Sequence, residues 1–163
     1  MRPLPLLLTG VLLASVALVA YNSMVITDPP PPPRVVTKIA ETNSTAFRPG
    51  QVWAYQTRPG EDSSTVTILR VEEAPKLGVI VHVAVEGVRV PSPTPGQFVT
   101  RLAHLPFAKA AIERSVTRKL RDDAAVPSFE EGYQQWRAAF DAGSGGIFTI
   151  TIAEAVDLMS QVH

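Results

Sequence analysis

The chain has 163 residues and carries 15 Lys+Arg against 15 Asp+Glu, a formal net charge of zero. That balance excludes a strongly basic nucleic-acid binder and an acidic cation store. The absence of cysteine excludes disulfides, Cys-ligated zinc, a thiol nucleophile and a lipidated N-terminal Cys.

Arg2 precedes an uncharged apolar run from Leu4 to Ala20. A cleaved secretory signal wants small residues at −3 and −1 of the cut. Ala20 at −1 puts Leu18 at −3, and a cut after Ala17, with Ser15 at −3, shortens the apolar core. An uncleaved anchor wants ~20 apolar residues to cross ~30 Å of hydrocarbon, and counting on to Ile26 reaches that length. Arg2 on the cytoplasmic side then sends the rest of the chain outward. Residues 1–27 are therefore expected to be an N-terminal transmembrane anchor or a signal peptide, with the membrane as partner through Leu4–Ile26. The remainder would sit in the cell envelope, as a single-pass inner-membrane protein with its C-terminal domain outside the cytoplasm, or be secreted if the segment is cleaved. A third reading makes the run an ordinary buried helix of a cytoplasmic protein.

Pro29 to Pro33 are consecutive prolines. They hold φ and donate no backbone hydrogen bond, so they form polyproline II, a stiff spacer of roughly 15 Å at ~3.1 Å per residue. Residues 28–44 read as a Pro-rich linker that holds a domain off a surface, with Arg34–Asn43 as its polar continuation. A docking peptide for an SH3- or WW-like partner is the other use of such a run.

Residues 45–163 read as a single α+β globular domain. Gln51–Thr57 alternates, and so does Ser64–Glu72; the Pro-Gly turn at Arg58–Asp62 between them predicts a hairpin. Val79–Glu86 places Val79, Val81, Val83 and Val85 on one face and Ile80, His82 and Ala84 on the other, which predicts a strand covered on both sides. Gly87–Val90 would extend or kink it, and Phe98–Leu102 reads as a short further strand. Pro106–Arg121 reads as a helix with Ala108, Ile112, Val116 and Leu120 as its apolar stripe. Ser128-Phe129-Glu130-Glu131 has the form of a capping box. The helix it opens carries Phe129, Tyr133, Trp136 and Phe140 and ends near Ala142-Gly143. Ile147–Ile150 reads as a short strand, and Thr151–Glu154 as a second capping box ahead of a last helix. The expected architecture is a curled, barrel-like antiparallel sheet of four to five strands packed with two to three C-terminal helices.

The strings from Phe47 to Glu61 and Ser64 to Leu69 resemble the opening of a group of short, uncharacterised bacterial proteins. So do His104–Phe107, Gly132–Gly143 and Gly146–Ile150. The resemblance covers most of Phe47–Val162 and not the anchor or the proline run. It implies one folded unit in a bacterial setting and carries no catalytic residue with it.

No arrangement of residues demands catalysis. His82, His104 and His163 show none of the short-range pairing of a zinc site, so neither a metal nor a cofactor is expected. Ser144 lies between glycines and does not fit G-x-S-x-G. Glu130-Glu131 are explained by a helix start, Asp122-Asp123 by a polar loop and Glu72-Glu73 by a strand end. His104 precedes Leu-Pro-Phe, where a loop would enter a helix, a place where functional residues gather. Arg114, Arg118 and Arg121, with Lys119, would form a positive stripe on the helix, suited to anionic lipid or an acidic partner. Trp53 and Tyr55 beside Arg58 and Glu61 are either core or, if turned outward, a peptide- or carboxylate-binding surface. The functional expectation is a non-catalytic, tethered envelope domain that binds a protein partner or small ligand and no nucleic acid. The alternative is a small envelope hydrolase using His82 or His104 with Glu61 or another acidic residue.

Overall fold

Runs rich in Val, Ile and Thr favour extended chain because branching at Cβ packs well on a pleated surface, and here they build one antiparallel sheet of six strands. The computed structural model describes residues 39–42 and 46–161, all within one compact unit, Pro33–His163. Leu4–Ile26 and Pro29–Pro33 lie outside the described residues, and among the described residues no helix is long and apolar enough to cross a membrane.

The strands are β1 (Ala40–Glu41), β2 (Val52–Tyr55), β3 (Thr65–Ala74), β4 (Gly78–Pro91), β5 (Phe98–Ala108) and β6 (Val116–Arg121). Their order is β5-β4-β3-β2-β6, with β1 paired to β3. Among the described residues the path is open, with β5 and β6 as its edges and no closure into a barrel. Two residues of the expected linker, Ala40 and Glu41, are paired with Glu73 and Glu72.

Among the described residues three helices cover the sheet: α1 (Lys109–Ser115), α2 (Glu130–Asp141) and α3 (Ile152–Gln161). One face carries Val66, Ile68, Val81, Val83, Val85, Leu105 and Phe107, packed against Ala111 and Ile112 of α1 and Ile152, Ala155 and Val156 of α3. The other face offers Leu69 and Ala84 to Phe129, Tyr133 and Trp136 of α2 and its entry. The expectation that both faces of β4 are covered holds, and the result is a three-layer α–β–α arrangement.

A bulge between Ile68 and Arg70 positions the polar residues. Ile68 and Val71 face the first core, so the extra residue turns Leu69, Arg70 and Glu72 toward α2. A one-residue shift of this kind exchanges the faces of everything beyond it. Arg70 then lies directly opposite His82.

Several local expectations give way to tertiary context. Pro106–Arg121 is not one helix: β5 runs to Ala108, α1 occupies seven residues, and Val116–Arg121 is a strand. The reason is a vacant partner. β2 pairs with β3 on one side only, and Val116–Arg121, starting with β-branched Val116-Thr117, fills its other edge. The positive helical stripe therefore does not exist; Arg114 is helical, whereas Arg118 and Arg121 lie on an edge strand. Phe98–Leu102 is the start of an eleven-residue strand. Ser128 does not cap α2, whose N-cap is Phe129 without a side-chain cap bond, and the Ser128 carbonyl instead accepts from Arg101 (3.1 Å). Ile147–Ile150 contributes only a parallel bridge between Phe148 and Phe107. The second capping box forms as expected, the Thr151 amide donating to Glu154 Oε2 (2.7 Å) and the Glu154 amide to Thr151 Oγ1 (3.4 Å).

Gly50, in the turn two residues before β2, has a positive φ of 85°, and a Cβ there would stand 2.7 Å from the carbonyl oxygen of Ala124. Gly50→Ala is thus expected to cost about 2–3 kcal/mol through backbone strain plus a contact that no side chain can relieve. Thermal unfolding measures it, and a change within about 0.5 kcal/mol would contradict the account.

Candidate functional site

α2 lies across β3, β4 and β5 and seals a chain of polar side chains against the sheet. His82, at mid-strand in β4, is 0% exposed, and Glu72 of β3 is 4% exposed. The Glu72 carboxylate accepts from His82 Nε2 through Oε2 (3.0 Å) and from the Tyr133 hydroxyl through Oε1 (2.8 Å). His82 Nδ1 meets His104 Nε2 at 2.9 Å. The two imidazoles are 18° from parallel with centroids 5.1 Å apart. A ring radius on either side of the hydrogen bond accounts for that separation, so the rings meet edge to edge in nearly one plane.

Aromatic rings wall the chain. Trp136 stands edge-on to His82 at 4.7 Å, Tyr133 at 5.3 Å, and Phe129 lies 6.3 Å from His104. The Arg70 guanidinium sits 4.5 Å from the centre of the Tyr133 ring, which places a positive charge beside the carboxylate. Gly132 lets α2 come this close, since a Cβ there would stand 3.0 Å from His104 Cβ.

The charges follow from this packing. Burial pushes the Glu72 pKa up, but the hydrogen bonds from His82 and Tyr133, with Arg70 nearby, outweigh it and hold Glu72 below the usual carboxylate range. Burial is the main cause that lowers the His82 pKa, against the opposing pull of Glu72. Burial and then the neighbouring His82 lower His104 to about 4. Near neutral pH the cluster therefore holds one carboxylate and two neutral imidazoles.

Donor and acceptor logic then assigns the protons. A carboxylate only accepts, so His82 Nε2 carries hydrogen and His82 Nδ1 is a lone pair. His104 Nε2 must donate to it, which leaves the lone pair of His104 on Nδ1. Among the described residues that nitrogen has no hydrogen-bond partner, and it is not a buried unpaired atom, so it opens to water. The chain runs from solvent through two imidazoles to a buried carboxylate.

This brings a histidine, a carboxylate and a hydroxyl together in steps near 3 Å, as a hydrolase would need. The hydroxyl is at the wrong end, however: Tyr133 donates to the carboxylate and not to an imidazole. Among the described residues no group of three or more His, Asp and Glu is arranged to hold a metal ion.

Of the residues singled out from sequence, His104 and His82, the two candidate histidines of the hydrolase alternative, belong to this cluster. Tyr55 is core, its hydroxyl 2.7 Å from Ser64 Oγ. Trp53 is half-buried, edge-on to Phe47, with Nε1 3.3 Å from Gln51 Oε1. Arg58 and Glu61 form a clamp. Arg58 binds Glu61 through Nε (2.9 Å), and also Ser160 (2.8 Å), Asp157 (3.2 Å) and the Arg89 carbonyl (3.1 Å). The Arg89 amide donates to Glu61 at 2.7 Å. The clamp ties the β2–β3 turn to β4 and α3, and the Arg58 hydrogen bond holds Glu61 below the usual carboxylate range. Arg114 is engaged by the Ala110 and Thr149 carbonyls, while Arg118 and Arg121 are exposed. Glu72, Tyr133 and Arg70 were not singled out. The one signal was His82 among valines, a polar group that needs a partner once both faces of its strand are covered.

A second feature lies at the C-terminal end of α3. Val90, Pro91, Pro93, Val99, Leu102, Leu158 and Met159 line a cleft of about 380 Å³. Leu158 is 49% exposed, the adjacent Phe98 44% and Val99 37%. The Arg89 guanidinium lies 3.7 Å from the centre of the Phe98 ring.

No protein-family model, no curated protein and no solved structure matches this chain.

Proposed function

We propose that this is a non-catalytic binding domain of the cell envelope, tethered through Leu4–Ile26 and spaced by Pro29–Pro33, that takes an extended apolar segment of a protein partner along the outer edge of β5. The observation that carries this reading is the apolar cleft beside an unfilled strand edge. β5 pairs with β4 on one side. On its other side, the Phe148 amide donates to the Pro106 carbonyl (2.8 Å) and the Ala108 amide to the Phe148 carbonyl (2.8 Å). Among the described residues Phe98 to Ala103 have no backbone partner on that outer side. An added strand would continue the row that Phe148 begins. Its backbone would supply the hydrogen bonds and its alternate side chains would fill the cleft against Leu158 and Met159. Exposed apolar side chains gathered at one edge are the usual mark of such a contact.

The test uses the full chain in lipid nanodiscs and a displayed library of random ten-residue peptides. Selected peptides should share apolar residues at every second position. Leu158→Asp should weaken their binding at least tenfold, and Leu77→Asp, at an exposed leucine in the β3–β4 turn, should leave it unchanged. Peptides without alternation, or equal binding by the Leu158→Asp variant, would overturn the proposal.

A further inference from the structure

The buried chain of imidazoles serves no purpose in peptide binding, and its bonding pattern has a consequence of its own. We infer that Glu72, His82 and His104 form a one-proton relay: a proton enters from water at His104 Nδ1, and the positive charge comes to rest on His82 against the Glu72 carboxylate.

Each transfer balances. Water delivers a proton to the open lone pair on His104 Nδ1. The hydrogen on His104 Nε2 crosses the 2.9 Å bond to His82 Nδ1. His104 is then neutral again, with hydrogen on Nδ1 and a lone pair on Nε2. His82 has become an imidazolium that donates from Nδ1 to His104 and from Nε2 to Glu72 (3.0 Å). Every hydrogen bond of the neutral state survives with its direction reversed or kept, and the charge has moved from the half-buried ring to the one beside the carboxylate. The near-coplanar rings suit this exchange, because each nitrogen lone pair lies in its ring plane.

A second proton has no such route. It would put hydrogen on both nitrogens of the shared bond and two cations side by side under α2. The groups around the pair set where each step falls. β3 supplies Glu72, which favours the charge, and Arg70, which opposes it. From α2, Tyr133 donates to Glu72, and Arg137, paired with Asp141 (3.0 Å), adds a further positive charge. Glu130 of α2 and Glu41 of β1 stand 3.8 and 3.5 Å from Arg70 and partly offset it. The relay is thus a store for one proton in a cluster that a second would break, with α2 as the element that responds.

Nitrogen-15 NMR of the two imidazoles, on the full chain in nanodiscs through a pH titration, reads each ring nitrogen directly. At neutral pH both rings should be neutral with hydrogen on Nε2. In the first acid step His82 should become the imidazolium while His104 moves its hydrogen to Nδ1 and stays neutral. A first step in which His104 becomes the imidazolium and His82 does not change would overturn the relay. So would hydrogen on Nδ1 of either ring at neutral pH. His104→Gln removes the ring that hands its hydrogen to His82 Nδ1, so proton exchange between His82 and water should slow at least tenfold while Glu72 still favours the charge on His82. Tyr133→Phe removes a donor from Glu72, leaves the carboxylate more basic and should move the first midpoint to higher pH. An unmoved midpoint would mean that the charge does not rest beside Glu72.

Discussion

Glu72→Ala is expected to destabilise the domain by about 3–5 kcal/mol, the range for removing one member of a buried charged network. The carboxylate serves two donors, His82 Nε2 and the Tyr133 hydroxyl, both in a site closed to water. Its loss strands both, at about 1–3 kcal/mol for each unsatisfied group, and leaves Arg70 without its nearest buried anion. Glu72→Gln retains one oxygen and the volume, and Tyr133 can turn to accept from the new amide, so its cost should be nearer 1–2 kcal/mol. The combined change Glu72→Met, His82→Leu, His104→Leu and Tyr133→Phe removes donors and acceptors together and should recover most of the loss. Urea unfolding followed by tryptophan fluorescence measures all three. A Glu72→Ala cost below about 1 kcal/mol would show that water reaches the site and that the seal under α2 is not real.

Acid should weaken the fold over a defined window. His104 lies at an ordinary value of 6.5 when unfolded and at about 4 when folded. Between those values the unfolded chain binds more protons, so stability falls as pH drops through the window and levels off below the folded value. The shift corresponds to about 3 kcal/mol at full strength, and solvent screening of a half-buried ring brings it to about 2 kcal/mol. Glu72, held below its ordinary range, acts in the same direction at lower pH: its contribution is present above the unfolded carboxylate value and is lost as pH falls through the folded one. Unfolding free energy measured from pH 7.5 to 4 should therefore decline, and His104→Gln should flatten the part of the curve above pH 5. A flat profile in the parent protein would contradict the burial of the imidazole pair.

Where the sequence pattern alone was enough, the pattern was local. The β2–β3 hairpin was legible because alternation on both sides of Arg58–Asp62 and a Pro-Gly turn agree. The two-sided covering of β4 was legible in Val79–Val85 against Ile80–Ala84. The Thr151–Glu154 cap was legible because both partners lie within one turn. The helix expected over Pro106–Arg121 failed for the opposite reason: its four-residue spacing also fits a strand, a helix of about two turns and another strand, and the open edge of β2 decides between them. Ser128 failed as a cap because the helix begins one residue later than the pattern suggests, with Phe129 in the N-cap position. The candidate site was nearly invisible. Glu72, His82, His104 and Tyr133 come from three strands and a helix, and no spacing rule links them.

By itself the sequence determined the zero net charge, the absence of thiol chemistry, the α+β class and the two-sided covering of β4. Those follow from composition and from a period of two, quantities that a linear string carries. The tertiary structure alone decided that the Ile68–Arg70 bulge turns Arg70 and Glu72 under α2, that His104 meets His82, and that β5 keeps an open edge beside an apolar cleft. Each depends on the register between strands far apart in the chain, where a shift of one residue reverses the faces and would separate every partner in the cluster.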